Sequence, residues 1–400
     1  MALLDIQDPP RHEPFNLFVL GFRPFFIAAG LFAVASLVLW SLVYGGGLEL
    51  TLHNLSPSDW HAHEMIYGYT MAVIAGFLLT AIRNWTGVQT WQHRPLVMLW
   101  ALWLLARLSW SFGTAFIFLA AFADLLFNLL LFIATLSPIL QVRQWKQIGI
   151  VSKVLLMGLF NSLFYLGLLG VLDMGVYWGV YGGLFVVLAL ILTMGRRVLP
   201  FFIEKGVNYP VQLKNARWLD ISSLLLFVGF TLSELFILNP TLSGWLASLL
   251  FIVLLWRLIN WYTHGLWKTP MLWGLYVAFL FITLGILMFA LLPHYALFSR
   301  TLAIHALAFG GIGLVTLAMM ARVTLGHSGR DIRQPARATA FALGCITLGA
   351  IIRILPTALW PELYRSWILA SQCLWILGFA LFCQGYIPML VQARIDGREG

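Results

Sequence analysis

Charged side chains are scarce in this sequence. Asp, Glu, Lys and Arg make up 10% of its 400 residues, whereas 61% of the residues are hydrophobic. A soluble globular domain carries about 25% charged and about 45–50% apolar residues. The chain therefore has too little polar surface to cover its apolar surface in water. This composition excludes a soluble globular protein and indicates an integral membrane protein.

Patterns that indicate other architectures are also missing. The apolar runs are continuous over roughly twenty residues, without the roughly ten-residue alternation of a transmembrane barrel. Cys345, Cys373 and Cys383 all lie in apolar runs, which indicates no disulfide framework. The apolar run after Arg23 is too long for the core of a signal peptide. We therefore expect no separate signal peptide and interpret this run as the first permanent span.

Hydropathy predicts an all-α, polytopic membrane helix bundle of about twelve transmembrane helices in a single domain, residues 1–400. The predicted helices lie at residues 24–44, 60–82, 95–112, 114–140, 150–172, 175–195, 218–238, 243–262, 271–292, 299–324, 337–356 and 364–391. The longest segment between them, 196–217, is too short for a soluble domain.

Basic residues are distributed unevenly between the two sides of the predicted bundle. In the predicted topology, all but four of the 24 Lys and Arg residues lie on the side of the membrane where the N-terminus is. Arg107 and Arg353 lie within spans, and Arg300 and Arg365 lie on the opposite side. By the positive-inside rule, both termini are cytoplasmic. Because the basic residues are scattered between spans, we expect no nucleic-acid partner.

Two histidines and a carboxylate begin the second predicted helix, in the stretch "WHAHEM" at 60–65. His305 lies six residues into the tenth predicted helix, at a similar depth on the outer side. An imidazole in hydrocarbon is costly unless it is paired or ligated. His61, His63 and His305 are therefore candidate metal ligands, with Glu64 as a partner of a ring nitrogen. The alternative is a structural histidine bonded to a backbone carbonyl.

Helical periodicity separates the two neighbouring histidines. At 100° per residue, His61, Glu64, Gly68 and Gly76 share one helix face, and His63 points about 200° away from His61. The two histidines are then ligands of two neighbouring sites rather than of one ion. The small residues below His61 either allow close helix packing or leave space for a flat macrocycle.

A second polar group is predicted at the inner surface. His327 is a further candidate metal ligand. It lies 22 residues after His305, which is roughly 33 Å along a helix, so one metal cannot use both. Arg23, Arg322 and Arg330 lie near His327 in the predicted topology and suit carboxylates such as haem propionates, or other anions. Ordinary positive-inside topology also explains these arginines.

Four charged residues interrupt predicted spans: Arg107, Asp124, Glu234 and Arg353. Charges at that depth pair with one another or line a polar cavity. Arg107 and Asp124 are one possible pair across the hairpin of the third and fourth helices. A proton or substrate path is the alternative.

The remaining histidines lie between predicted helices or in a terminal segment, where polar residues are usual. We expect them to be solvated, and they are His12, His53, His93, His264 and His294.

Several stretches together resemble the NnrS family, bacterial inner-membrane proteins that bind haem and copper and belong to the nitric oxide response. They are "GFRPFF" at 21–26, "WHAHEM" at 60–65 with "AVIAGFLLTAIRNWTG" at 72–87, "GRRVLPFF" at 195–202, and "HALAFGGIGLVTLAMMARVTLGHSGR" at 305–330. The resemblance departs in the ninth helix, where the family pattern has histidine three residues after tryptophan and this chain has Tyr276 after Trp273. One family site is therefore expected to be altered here.

The resemblance implies a multi-pass protein of the bacterial inner membrane that handles nitric oxide with haem b and, less directly, copper. His305 with His61 or His63 holds the haem iron in this hypothesis, and the remaining histidine binds copper or supports the distal pocket. Glu64 donates protons if nitric oxide is reduced, with quinol or another donor supplying electrons. Nitric oxide and membrane lipid are the expected partners. Two alternatives stay open: a proton-coupled twelve-helix transporter, and the haem subunit of a quinol-linked oxidoreductase.

Overall fold

The computed structural model describes residues 17–49 and 55–397, which form twelve long helices and no strand. The helices are α1 Phe22–Tyr44, α2 Pro57–Thr86, α3 His93–Ser111, α4 Ile117–Gln141, α5 Ile148–Leu168, α6 Gly175–Gly206, α7 Arg217–Ile237, α8 Pro240–Trp261, α9 Pro270–Leu291, α10 Arg300–His327, α11 Ala338–Leu359 and α12 Tyr364–Leu390. Eleven of them are long and apolar enough to cross a membrane. The exception, α3, carries Arg94 and Arg107. The predicted all-α polytopic bundle is confirmed.

Helix α2 begins three residues before its predicted start, because a local capping motif determines its N-terminus. The Ser56 side chain accepts a hydrogen bond from the backbone N–H of Asp59, and Pro57 occupies the first helical position. Both features are typical of helix N-termini. Hydropathy alone does not detect them, since this first turn is polar. His61 and His63 therefore lie in regular helix and not in a frayed end.

Helix α6 is much longer than predicted. It continues through Pro200 to Gly206, so the first half of the predicted 196–217 segment is helical. Arg196, Arg197 and Lys205 lower the hydropathy of this segment, but they do not interrupt the backbone hydrogen bonds. Helices α10 and α11 likewise extend three residues past their predicted ends, to His327 and Leu359.

The helices are arranged in three rows of four. Each helix packs against the next within the rows α11–α12–α1–α2, α3–α4–α5–α6 and α7–α8–α9–α10. The last helices of the three rows, α2, α6 and α10, pack against one another in the centre. In α2, 89% of the residues in the apolar stretch are buried. The buried share is only 33–44% in the outer helices α1, α4, α5, α7, α8, α11 and α12. Side chains on α2 therefore contact protein on nearly every side.

The hydroxyl groups of Tyr69 and Thr316 are 2.5 Å apart and join α2 to α10. This contact makes α2 and α10 neighbours, as the prediction of a shared histidine site requires. We call the side with the first residues of α1 and the last residues of α12 the basic face, and the side with the first residues of α2 and α10 the histidine face.

Three helices contain π-helical segments: Glu64–Thr70 in α2, Ser233–Ile237 in α7 and Ala306–Ile312 in α10. The segments in α2 and α10 follow immediately after His63 and His305. A π segment changes the face on which later side chains emerge, and such segments are frequent at functional sites. The two central helices thus leave regular α geometry next to their histidines.

Candidate functional site

His61 and His63 lie on different sides of α2. The His61 ring stacks in parallel on Trp40 of α1, with ring centres 4.6 Å apart and an angle of 4° between the planes. The His63 ring stacks on Phe164 of α5, with ring centres 4.1 Å apart. The two imidazoles therefore occupy separate environments, as the helical angle predicts.

His63 has partners at both ring nitrogens. Its Nδ1 is 3.0 Å from Glu64 Oε1, and its Nε2 is 3.0 Å from Asn161 Oδ1 and 3.7 Å from Asp124 Oδ2. The side chain is fully buried. In this arrangement neither ring nitrogen of His63 is available to a metal.

Arg107 connects the two carboxylates around His63. Its Nη1 donates to Glu64 Oε1 at 2.5 Å, and its Nη2 is 2.5 Å from Asp124 Oδ1. The Tyr165 hydroxyl donates to Asp124 Oδ2 at 2.8 Å. The structure thus contains the Arg107–Asp124 pair that the sequence indicated. We call His63, Glu64, Arg107 and Asp124 the ion cluster.

The ion cluster contains Glu64, which the helical angle had placed on the face of His61. The side chain of Glu64 is buried and is held between Arg107 and His63. Its predicted role as a proton donor stays a prediction, and it belongs to the environment of His63 rather than to that of His61.

His305 has a defined tautomer. Its Nδ1 is 2.7 Å from the backbone carbonyl oxygen of Thr301, one turn earlier in α10. A carbonyl only accepts, so Nδ1 carries the proton and Nε2 keeps its lone pair. A hydrogen bond of this kind orients many metal-binding histidines.

Arg353 of α11 lies against the same ring. Its Nη2 is 3.4 Å from Nδ1 and 3.3 Å from Nε2 of His305. Because Nδ1 carries the proton, Nε2 is the nitrogen that can accept a hydrogen bond from this guanidinium. The contact is long for a hydrogen bond, and a metal at Nε2 would replace it.

His61 and His305 form the second histidine environment, which we call the histidine pair. They are close enough to interact electrostatically, and Arg353 interacts with both. Both imidazoles are half-buried. Among the described residues, His61 makes no side-chain hydrogen bond, and its only ring contact is with Trp40. His61 and His305 therefore share Arg353 as a neighbour, whereas His63 lies in the separate ion cluster.

The donor set of the histidine pair fits one kind of metal group better than another. Across residues 17–49 and 55–397, no three His, Cys, Asp or Glu side chains are placed to hold one metal ion. A bare ion in a closed protein site needs about four ligands. Haem supplies four nitrogens itself and needs only one or two axial ligands from the protein. Two imidazoles therefore suit haem iron more closely than an isolated copper ion.

The small residues of α2 do not leave space for a macrocycle. A Cβ at Gly68 would lie 2.6 Å from the Phe32 ring, and a Cβ at Gly76 would lie 2.8 Å from the Phe26 ring. Phenylalanines of α1 thus fill this face, and the close-packing alternative applies.

An apolar cavity of about 90 Å³ lies deeper in the bundle, between α2, α6, α9 and α10. The polar side chains at its wall are Thr70 and Thr316. Their hydroxyls donate to the carbonyls of Met65 and Ile312 in their own helices. With both hydroxyl protons used in this way, the surface that lines the cavity is apolar. It contains no histidine.

The sequence profile of the NnrS family, described as NnrS protein, matches residues 16–394. The chain belongs to the NnrS family. No curated protein sequence matches the chain.

The predicted anion ligands at the basic face of this NnrS family member contact protein groups, and their assignment as anion ligands stays a prediction. Arg23 is buried, and its Nη1 donates to the carbonyls of Leu390 and Gln392 at 2.8 and 2.7 Å, at the end of α12. Arg330 donates to the side chain of Gln392 at 3.0 Å. Arg322 lies over the Phe202 ring at 3.7 Å. Two of the three predicted anion ligands thus hold the C-terminal segment.

His327 lies at the basic face, at the opposite end of α10 from His305. Its Nε2 is 3.3 Å from Asn84 Nδ2, and its ring contacts Phe22. No second histidine accompanies it among the described residues. Its assignment as a metal ligand stays a prediction.

The other sequence-predicted positions in this NnrS family member agree with polar or structural roles. His93, His264 and His294 are exposed, whereas His12 and His53 lie outside the described residues. The Tyr276 hydroxyl donates to the backbone carbonyl of Leu258 at 3.0 Å. Tyr276, at the position where the family resemblance led us to expect histidine, therefore links α9 to α8.

The sequence did not predict the contacts that three residues make in these environments. Trp40 and Asn161 look like ordinary span residues, because nothing local distinguishes them. Arg353 was recognised as an embedded charge, but its contact with His305 spans 48 positions of the chain. Its position within an apolar run was the only feature of the sequence that pointed to a buried polar partner.

Proposed function

We propose that this chain is a haem-binding protein of the bacterial inner membrane that handles nitric oxide, with His61 and His305 as the protein ligands of the iron. The observation that carries the proposal is the histidine pair: two imidazoles from neighbouring central helices that both interact with Arg353, of which His305 keeps Nε2 unprotonated and His61 makes no side-chain hydrogen bond within the described residues. Membership of the NnrS family supports the nitric oxide assignment.

The residues around the histidine pair would hold a haem group in place. The Thr301 carbonyl orients His305 and fixes the proton on Nδ1. The Trp40 ring keeps the plane of His61 in one orientation. Haem would supply a redox-active iron that binds nitric oxide. Copper is the less favoured metal, because the pair offers only two donors.

The apolar cavity supports a small, apolar substrate. An engineered dry cavity of about 150 Å³ binds benzene or xenon, and this one is about 90 Å³. Nitric oxide is smaller than benzene and partitions into apolar surroundings. Reduction of nitric oxide would require an electron donor such as quinol, which we include in the proposal as a partner. Binding without turnover uses the same residues.

The test is an absorption spectrum of the purified protein from haem-replete cells. We expect a Soret band in the wild type that shifts on addition of nitric oxide. The band should be lost in His305→Ala and lost or shifted in His61→Ala. His264→Ala, an exposed histidine in a loop, is the matched control and should keep the wild-type spectrum.

A colourless wild type that also fails to take up added haem would disprove the proposal. Substrate uptake into vesicles by that colourless protein would favour the transporter alternative. A spectrum unchanged in both His61→Ala and His305→Ala would show that other residues hold the haem.

A further inference from the structure

Buried arginines in this bundle have anionic or carbonyl partners, with one exception. Arg107 contacts two carboxylates. Arg257 donates to Asp220 at 3.1 Å and to the Leu219 carbonyl at 2.7 Å. Arg353 is equally buried, with 6% of its surface exposed, yet no ion pair among the described residues includes it.

The neighbours of Arg353 are rings rather than carboxylates. Its Nη2 is 3.3 Å from Nε2 of His305, and the guanidinium interacts with the side chain of Tyr364. Tyr44 and His61 are the other polar groups that interact with it. Its Nη1 is buried and has no hydrogen-bond partner within the described residues.

A guanidinium at this depth is costly without a counter-charge. Charged groups within membrane spans pair with one another or mark a ligand site. The described part of the chain supplies no anion here, and the unused N–H groups of Nη1 remain beside the histidine pair. The fork of N–H groups on arginine matches planar oxyanions.

We infer that Arg353 binds the oxyanion group of a ligand at the histidine pair. The chemistry is that of a carboxylate or a small planar inorganic oxyanion. Two sources are possible: a haem propionate, which rests on the function proposed above, and a free oxyanion such as nitrite, which does not. Arg353 would then be a binding residue that acts beside the metal ligands and not through them.

The first arm of the test distinguishes the propionate. Full-length protein from haem-deficient cells is titrated with haem and with haem dimethyl ester, in which both propionates are neutral. If Arg353 pairs with a propionate, the wild type should bind the ester on the order of tenfold to a hundredfold more weakly than haem. In Arg353→Met, haem and its dimethyl ester should bind with equal affinity. The affinity for haem should fall by the factor that separates haem from the ester in the wild type.

The second arm uses nitrite as the probe, with binding to the same full-length protein measured by calorimetry. Nitrite binding in the wild type that is lost in Arg353→Met identifies a free oxyanion as the ligand. Arg353→Lys keeps the charge but loses the fork, and it should retain part of the affinity. Arg365→Gln, an exposed arginine on the same face, is the matched control and should behave as the wild type.

The outcomes separate the two proposals. Equal affinity of the wild type for haem and its ester, together with no nitrite binding, overturns the inference while leaving the haem proposal intact. A wild type that binds no haem but binds nitrite through Arg353 supports the inference and disproves the haem proposal. If Arg353→Met does not fold, the comparison of the ester with haem in the wild type and the nitrite affinity of Arg353→Lys decide.

Discussion

His61 and His63 are two residues apart on one helix, yet their environments are opposite. The His63 ring is fully buried and has a side-chain partner at each nitrogen, in a cluster with two carboxylates and an arginine. The His61 ring is half-buried, is held by stacking on Trp40, and makes no hydrogen bond within the described residues.

The difference shows what distinguishes a structural histidine from a candidate ligand. An imidazole is a ligand only if a nitrogen lone pair is accessible, and this depends on the groups that face it. At His63 those groups are Glu64 and Asn161, and at His61 the neighbouring group is an aromatic face. Substitutions in and beside the two environments test this contrast, beginning with the largest expected effect.

Replacing Arg107 should disrupt the ion cluster most strongly. Arg107→Met leaves Glu64 and Asp124 as buried carboxylates without their shared cation, and breaking a buried pair in this way costs about 3–5 kcal/mol. We expect a large loss of the free energy of unfolding, measured by denaturant titration in detergent. Arg365→Gln on the surface is the control, and the double variant Arg107→Met with Glu64→Gln should recover part of the loss. Wild-type stability in Arg107→Met would show that the cluster is not structural.

Alanine at His63 should destabilise the protein more than alanine at His61. His63→Ala removes two buried hydrogen bonds and the packing on Phe164, and we expect a loss of about 2–4 kcal/mol in the free energy of unfolding. His61→Ala removes one stacking contact, which is worth about 0.5–1.5 kcal/mol. Thermal unfolding of both variants measures the stability difference, and haem binding should fall in His61→Ala. Equal destabilisation by the two substitutions would contradict the contrast.

Gly76→Ala tests whether the face below His61 is filled. The added Cβ would lie 2.8 Å from the Phe26 ring, and overpacking of this kind costs about 1–3 kcal/mol. The matched control is Gly344→Ala in α11, where nothing lies within 4 Å of the added carbon. This control should be neutral or stabilising, because alanine favours the helix. A neutral Gly76→Ala would indicate free space beside Phe26.

Tyr165→Phe should have the smallest effect. It removes the 2.8 Å hydrogen bond to Asp124 and keeps the ring that packs beside His63. We expect a loss of about 1 kcal/mol in the free energy of unfolding, because Arg107 still balances the Asp124 carboxylate. Phe164→Leu, which removes the stacked ring but no hydrogen bond, gives the comparison. A loss as large as that of Arg107→Met would mean that the hydroxyl, and not the arginine, holds Asp124.

Local rules were sufficient for several of these features. The divergence of His61 and His63 follows from 100° per residue. The Arg107–Asp124 pair was predictable because a short hairpin brings α3 and α4 together. The start of α2 at Pro57 and the continuation of α6 to Gly206 were missed, because hydropathy detects the apolar stretch of a helix and not its polar ends.

By itself, the sequence determined the membrane class, the twelve helices and the direction in which each histidine leaves its helix. All three depend on composition or on periodicity within one helix. Only the tertiary structure decided that Asn161 and Asp124 face His63, that Phe26 and Phe32 pack against the glycines of α2, and that Arg353 contacts His305. These contacts join helices far apart in the chain. The packing of the three rows decides them, and no single helix contains that information.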